Sequence, residues 1–239
     1  MINGMLYSSR GCIKEEMRMD IISNNLANTN VHGFKKDRIS FNDILNNTNV
    51  DSYKNKMSLI SVKIDLSQGD IRATGNQLDL AINGKGFFKV NTPEGIKYTR
   101  KGNFSLNPQG VLSTQDGYPV MGPGGPITVH GKEINIDAKG VLFSDGAQAG
   151  HIDLVDFEEY ENLVKEGNGL FGILTTDPGK PVHPDTTIKQ GFLELSNVNV
   201  AEEMIQMVHS LRAFESYQKA IKVLDEINNR AVNEVGRLR

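Results

Sequence analysis

Apolar positions along the first 27 residues return at helical intervals. Met5, Cys12, Met19 and Leu26 recur every seven residues, flanked by Leu6, Ile13 and Ile22, and no proline interrupts the run. The spacing predicts a helix over residues 1–27. It should end in the Asn-rich stretch from Asn24 to Asn30. Asn side chains compete for backbone hydrogen bonds and tolerate left-handed conformations, and Gly33 follows as a turn or cap. A second helical pattern covers residues 199–238, opened by Asn199 with Glu202 three residues on, a capping-box-like start. Its apolar series runs Val200, Met204, Met207, Leu211, Phe214, Tyr217, Ile221, Leu224, Asn228, Ala231, Val235, Leu238. This reads as a heptad seam with one irregularity, a stammer at Phe214–Tyr217.

Between the helices the grammar changes to short alternating runs. Residues 76–190 are punctuated by Gly, Pro, Asn and Asp turns, as in antiparallel β-structure. An internal echo supports the reading: Ser105 to Leu112 resembles Asn135 to Leu142, and Asp116-Gly117 and Asp145-Gly146 follow the two copies. Each copy reads strand, tight turn, strand, with Gly110 and Gly140 supplying positive φ. The expected class is α+β. Residues 1–44 carry the first helix and its Asn-rich exit, and 45–75 form an extended connection. Residues 76–190 form a mainly antiparallel β domain, and 191–239 return to helix. The two helices are expected to form a coiled-coil core segment.

Composition narrows the function. The chain has 239 residues and a formal net charge of -3, from 26 basic and 29 acidic residues. That balance argues against a dedicated nucleic-acid binder; the run Lys35, Lys36, Arg38 reads as a solvated face. Cys12 is the only cysteine, which excludes an internal disulfide and a thiolate metal cluster. No apolar run approaches the ~20 residues of a membrane helix. Charges from Arg10 to Asp20 break any leader-like apolar block, so export, if it occurs, is expected to use a route without a cleaved leader.

No catalytic constellation emerges. His32, His130, His151, His183 and His209 are scattered without metal spacing, and no Gly-x-Ser-x-Gly elbow is present. Gly122 to Pro126 and Gly84 to Gly86 read as turns. Asp153 with Asp156, and Glu158 with Glu159, lie in a polar stretch where solvated charge is the default. Neither catalysis nor a cofactor is expected. The helices differ in length, about 58 Å against about 38 Å, so intrachain pairing leaves part of the longer seam for another chain. Contacts that repeat head-to-tail without closing build a helical filament.

Four motifs then carry a resemblance from end to end. Ile22 to Asn30 with Gly33-Phe34-Lys35 resembles the N-terminal signature of flagellar rod and hook proteins. Thr74 to Ile82 with Gly86-Phe87-Phe88 is similar to the start of their β domain. So is Tyr98-Thr99-Arg100 through Gly102-Asn103-Phe104 to Asp116–Val120. Gln190 to Glu194 with Ser196 to Val200 and Glu202-Glu203-Met204 resembles their C-terminal signature. Gln77 departs from the pattern, standing where the family has Pro. The compact β region and Ile134 to Phe157 look most like the proximal-rod members, with the distal-rod members next.

The resemblance implies a non-catalytic subunit of a hollow helical rod crossing the periplasm, in the flagellar basal body. It implies a role in torque transmission and protein export, passage through the flagellar type III export apparatus, and assembly with itself and other rod subunits. On this reading Met204, Leu211, Phe214, Ile221, Leu224 and Leu238 supply the buried seam. Met5, Cys12, Met19 and Leu26 face it from the first helix. Asn24, Asn25, Asn28, Gly33 and Phe34 set the exit from that helix. The competing class is an extracytoplasmic β-domain binder, of peptidoglycan for example, with the helices as tethers.

Overall fold

The computed structural model describes residues 2–41, 60–131, 133–175 and 179–236. The chain divides into two compact units. One comprises Met1–Ala27, Asp37–Lys63 and Val198–Arg239; the other comprises Asn28–Lys36 and Ile64–Asn197. No helix among the described residues is long and apolar enough to cross a membrane.

The first unit is built on two helices, α1 (Ile2–Ala27) and α2 (Val200–Gly236), 26 and 37 residues long. The start of α2 is capped as its sequence predicts. The Asn199 side-chain oxygen accepts the Glu202 N–H at 3.3 Å, and the Asn199 carbonyl accepts the Glu203 N–H at 3.0 Å. The helices pair antiparallel in a constant register. Gly4 lies against Leu224 and Gly11 against Tyr217, and fourteen residues further Asn25 hydrogen-bonds Glu203. Leu238 and the stretch 42–59, which includes residues 45–59 of the expected extended connection, lie outside the described residues. Strand Asp37–Phe41 pairs with Ile60–Ile64.

The second unit is β-structure. Its largest sheet has six strands in the order Leu163–Gly167, Leu170–Ile173, Gly95–Thr99, Phe87–Thr92, Leu154–Asp156, Lys180–Pro181, and its strand pairs are antiparallel. Alternation along one strand builds two cores. Phe87 and Phe88 are both buried but point to opposite faces. Phe88 meets Phe104 edge-on at 5.0 Å in a cluster with Leu80, Leu112 and Leu142. Phe87 meets Phe171 at 5.4 Å, in a cluster with Tyr98 and Phe157.

The internal echo is a repeated structure, down to its hydrogen bonds. In the first copy the Asn107 side-chain oxygen accepts the N–H groups of Gln109 (3.0 Å) and Val111 (2.8 Å). In the second, the Asp137 carboxylate accepts those of Lys139 (2.9 Å) and Val141 (2.8 Å). Gly110 and Gly140 follow at φ 76° and 88°, and Leu112 and Leu142 are fully buried. The carbonyl of each glycine then accepts an N–H from a later segment, Val129 for Gly110 and Ile152 for Gly140. An amide oxygen and a carboxylate oxygen do the same work, so Asp137→Asn should leave stability within about 0.5 kcal/mol. Asp137→Ala removes both bonds and should cost about 2 kcal/mol. Urea denaturation of the two variants checks the contrast.

Candidate functional site

Two sets of contacts stand out, one in each unit. In the first unit, the line through the helix contacts on α1 is Gly4, Ser8, Gly11, Glu15, Arg18, Ile22, Asn25. It takes in every buried residue described on that helix. On α2 the line is Glu203, Met207, Ser210, Phe214, Tyr217, Ile221, Leu224, Asn228, Ala231, again including both buried residues, Glu203 and Ser210. Its steps alternate four and three throughout, so the stammer expected at Phe214–Tyr217 is absent. The apolar reading had skipped Glu203 and Ser210 in favour of Met204 and Leu211, and that exchange created the irregularity.

Small residues let the helices approach. A Cβ on Gly11 would stand 2.6 Å from the Tyr217 ring, and one on Gly4 would touch Leu224. Nearer the other end of α1 the seam is polar. Glu15 pairs with Arg18 at 3.2 Å, and the buried Ser210 hydroxyl has no hydrogen-bond partner. Asn25 mimics a strand. Its side chain donates to the Asp37 carbonyl (3.0 Å), accepts the Asp37 N–H (2.9 Å) and also donates to Glu203 (3.4 Å).

The residues expected at the seam therefore separate. Met5, Cys12, Met19 and Leu26 each follow a contact residue by one position and are half-buried. Phe214, Ile221 and Leu224 lie on the contact line, half-buried. Met204 and Leu211 are 58% and 47% exposed. Asn24 is exposed and Asn28 half-buried. Large apolar side chains point outward on both helices: Leu6, Tyr7, Ile13 and Met17 on α1, and Val200, Met204, Ile205, Val208 and Leu211 in the first turns of α2. Covering what remains exposed of each would contribute about 1 kcal/mol. Among the described residues, exposed apolar surface of this unit thus lies outside its own helix contact.

In the second unit the site is a buried cluster of charge. Lys35 and Lys36, read from sequence as a solvated face, are buried, Lys35 to 1% exposure. Lys35 Nζ donates to Glu194 Oε1 at 2.6 Å and to the Ser67 carbonyl at 2.8 Å. Gly69 N–H donates to the same carboxylate oxygen (3.0 Å), and Arg100 Nη1 to the other (3.3 Å). Arg100 also donates to the Gly84 carbonyl (2.8 Å) and lies over the Phe87 ring. The Glu194 main-chain carbonyl accepts Gly33 N–H at 2.8 Å. Gly33 must be glycine: its φ is 67°, and a Cβ would meet the Arg100 backbone at 2.5 Å. Burial pushes the Lys35 ammonium below its ordinary pKa, and the neighbouring Glu194 carboxylate partly restores it. Burial likewise raises the Tyr160 phenol, which donates to Asp156 at 2.7 Å.

Asn197 completes the joint as Asn25 does in the other unit. Its side chain accepts the Lys36 N–H (2.7 Å) and donates to the Asp65 and Ser67 carbonyls (2.8 and 3.1 Å). It ties together the two segments just beyond the pairing of Asp37–Phe41 with Ile60–Ile64, where the Asp65 N–H also meets the Lys36 carbonyl at 2.8 Å. Lys35, Arg100, Glu194 and Asn197 lie within the signature motifs, but their sequence context gave none of them a role in a buried cluster. The signal available was a lone charge or amide embedded in each apolar motif. Among the described residues no group of three or more His, Cys, Asp or Glu could hold a metal ion.

Antiparallel terminal helices in one unit, and a β unit with its own buried polar cluster, define an α+β structural subunit. Three family models match the chain: "Flagella basal body rod protein" over residues 5–35, "Flagellar hook protein FlgE/F/G D1 domain" over 81–144, and "Flagellar basal body rod FlgEFG protein C-terminal" over 189–234. The flagellar basal-body rod protein FlgF of Caulobacter vibrioides is 34% identical over 92% of each chain. FlgG of Bacillus subtilis is 34% identical, and FlgG of Buchnera aphidicola from Schizaphis graminum 33%; each alignment covers 95% of this chain and 97% of the relative. The chain belongs to the family of flagellar basal-body rod proteins, structural components of the bacterial flagellum.

Removing the Glu194 carboxylate strands two buried cations. Glu194→Ala should therefore cost about 3–5 kcal/mol, read from the urea midpoint. Gly33→Ala should lower the midpoint through the backbone clash.

Proposed function

We propose that the chain is a non-catalytic rod subunit that self-assembles through its terminal helices into a hollow helical rod. The rod transmits torque and conducts exported proteins. The observation that carries this reading is the outward apolar surface of α1 and α2, typified by Ile13, Met17, Met204 and Leu211. A surface of that kind seeks another chain. Its partners are further copies and other rod subunits, and the flagellar export apparatus delivers it. The α1–α2 seam, with Phe214, Ile221 and Leu224, shapes each subunit. Met5, Cys12, Met19 and Leu26 flank that seam, and Asn25, Gly33 and Phe34 fix where the chain leaves α1.

A proximal position suits the chain's length. Its alignment with Caulobacter FlgF spans 231 positions, whereas those with Buchnera and Bacillus FlgG span 257 and 261, more than its 239 residues. Leu211→Asp places a charge in the outward stripe of α2. It should abolish incorporation into basal bodies and swimming, while the β unit keeps its circular dichroism and urea midpoint. Normal swimming by this variant would overturn the reading.

A further inference from the structure

The outward stripes of the two helices match one another. On α1 the stripe runs Leu6, Arg10, Ile13, Met17, Asp20; on α2 it runs Met204, Val208, Leu211, Glu215, Gln218, and all ten are exposed. Each spans fourteen residues in alternating steps of three and four. Set side by side in opposite directions, they bring Arg10 opposite Glu215, Ile13 opposite Leu211 and Met17 opposite Val208. Such layers are those of an antiparallel two-helix seam, two apolar layers with the Arg10–Glu215 pair on one side and Asp20 opposite Met204 on the other.

We propose that α1 of one copy docks antiparallel on α2 of the next copy in this register. This rests on the reading of the chain as a self-assembling rod subunit. Direction follows from symmetry. In a filament of head-to-tail contacts every copy points the same way. Because α1 and α2 are antiparallel within a chain, α1 of one copy is antiparallel to α2 of its neighbour. The contact cannot form within one chain. Ile13 is two positions beyond Gly11, which faces Tyr217, and two residues turn the helix by roughly 200°. The stripe of α1 therefore points away from its own α2.

The test is cysteine pairing in assembled basal bodies. Cys12→Ser removes the native thiol, and Ile13→Cys with Leu211→Cys places thiols across the proposed contact, close enough for a disulfide. Oxidation of isolated basal bodies should give a ladder of dimers and larger multiples of the chain on a non-reducing gel. Ile13→Cys with Val223→Cys should give none. Normal basal bodies with no ladder, or with a cross-link to a chain of different mass, would overturn the pairing and leave the rod reading standing. Absence of the unaltered chain from basal bodies would overturn both. Independently, Arg10→Glu should lower incorporation ~tenfold and Arg10→Glu with Glu215→Arg should restore it; failure of the restoration counts against the register.

Discussion

The Glu194 carboxylate is the point on which the β unit turns. Both of its oxygens are engaged, by Lys35, Gly69 and Arg100, and its main-chain carbonyl takes Gly33 N–H. These residues come from four separate stretches of sequence, including the segment that enters the unit and the strand that leaves it. A buried ion cluster is not in itself a strong source of stability, because desolvation offsets much of the attraction. Its value is in exclusivity: only one arrangement of the four stretches pairs every charge. Any other packing leaves a lysine or an arginine unpaired in an apolar setting, which is far costlier than a misplaced methyl group.

Side-chain amides do related work wherever the backbone leaves regular structure. Asn25 serves Asp37 on both its donor and its acceptor, and Asn197 serves Lys36, Asp65 and Ser67. Loops and helix ends carry orphan N–H and C=O groups that must be satisfied when buried. An amide, holding both functions on one short arm, substitutes for a missing strand. That explains in physical terms why the signature stretches are rich in asparagine, with a glycine at the tightest approach.

Much of the fold was legible in the sequence. Absence of proline and the Asn199 cap marked both helices to within a residue or two. The echo between Asn107 and Asp137 was read correctly because turn chemistry is local. The helix contact was not legible in the same way. A search for apolar heptads passes over Glu203, Ser210 and Gly11, although these face the partner helix, and it selects Met204 and Leu211, which face outward. Packing of a small residue against a large one, as Gly11 against Tyr217, looks like a gap in a hydrophobicity pattern. Lys35 was misread for a similar reason: whether a charge is solvated or buried depends on Glu194, 159 residues away.

The repeated turn has a consequence for how such chains change over generations. Each copy, at Asn107 and at Asp137, closes its own reverse turn with one side chain and one glycine, and drops one leucine into the common core. Such a turn can be copied along a chain, but every copy then has to find a partner for its glycine carbonyl and a place in the core for its leucine. Growth of a β unit by whole hairpins is thus limited by the core that must receive them.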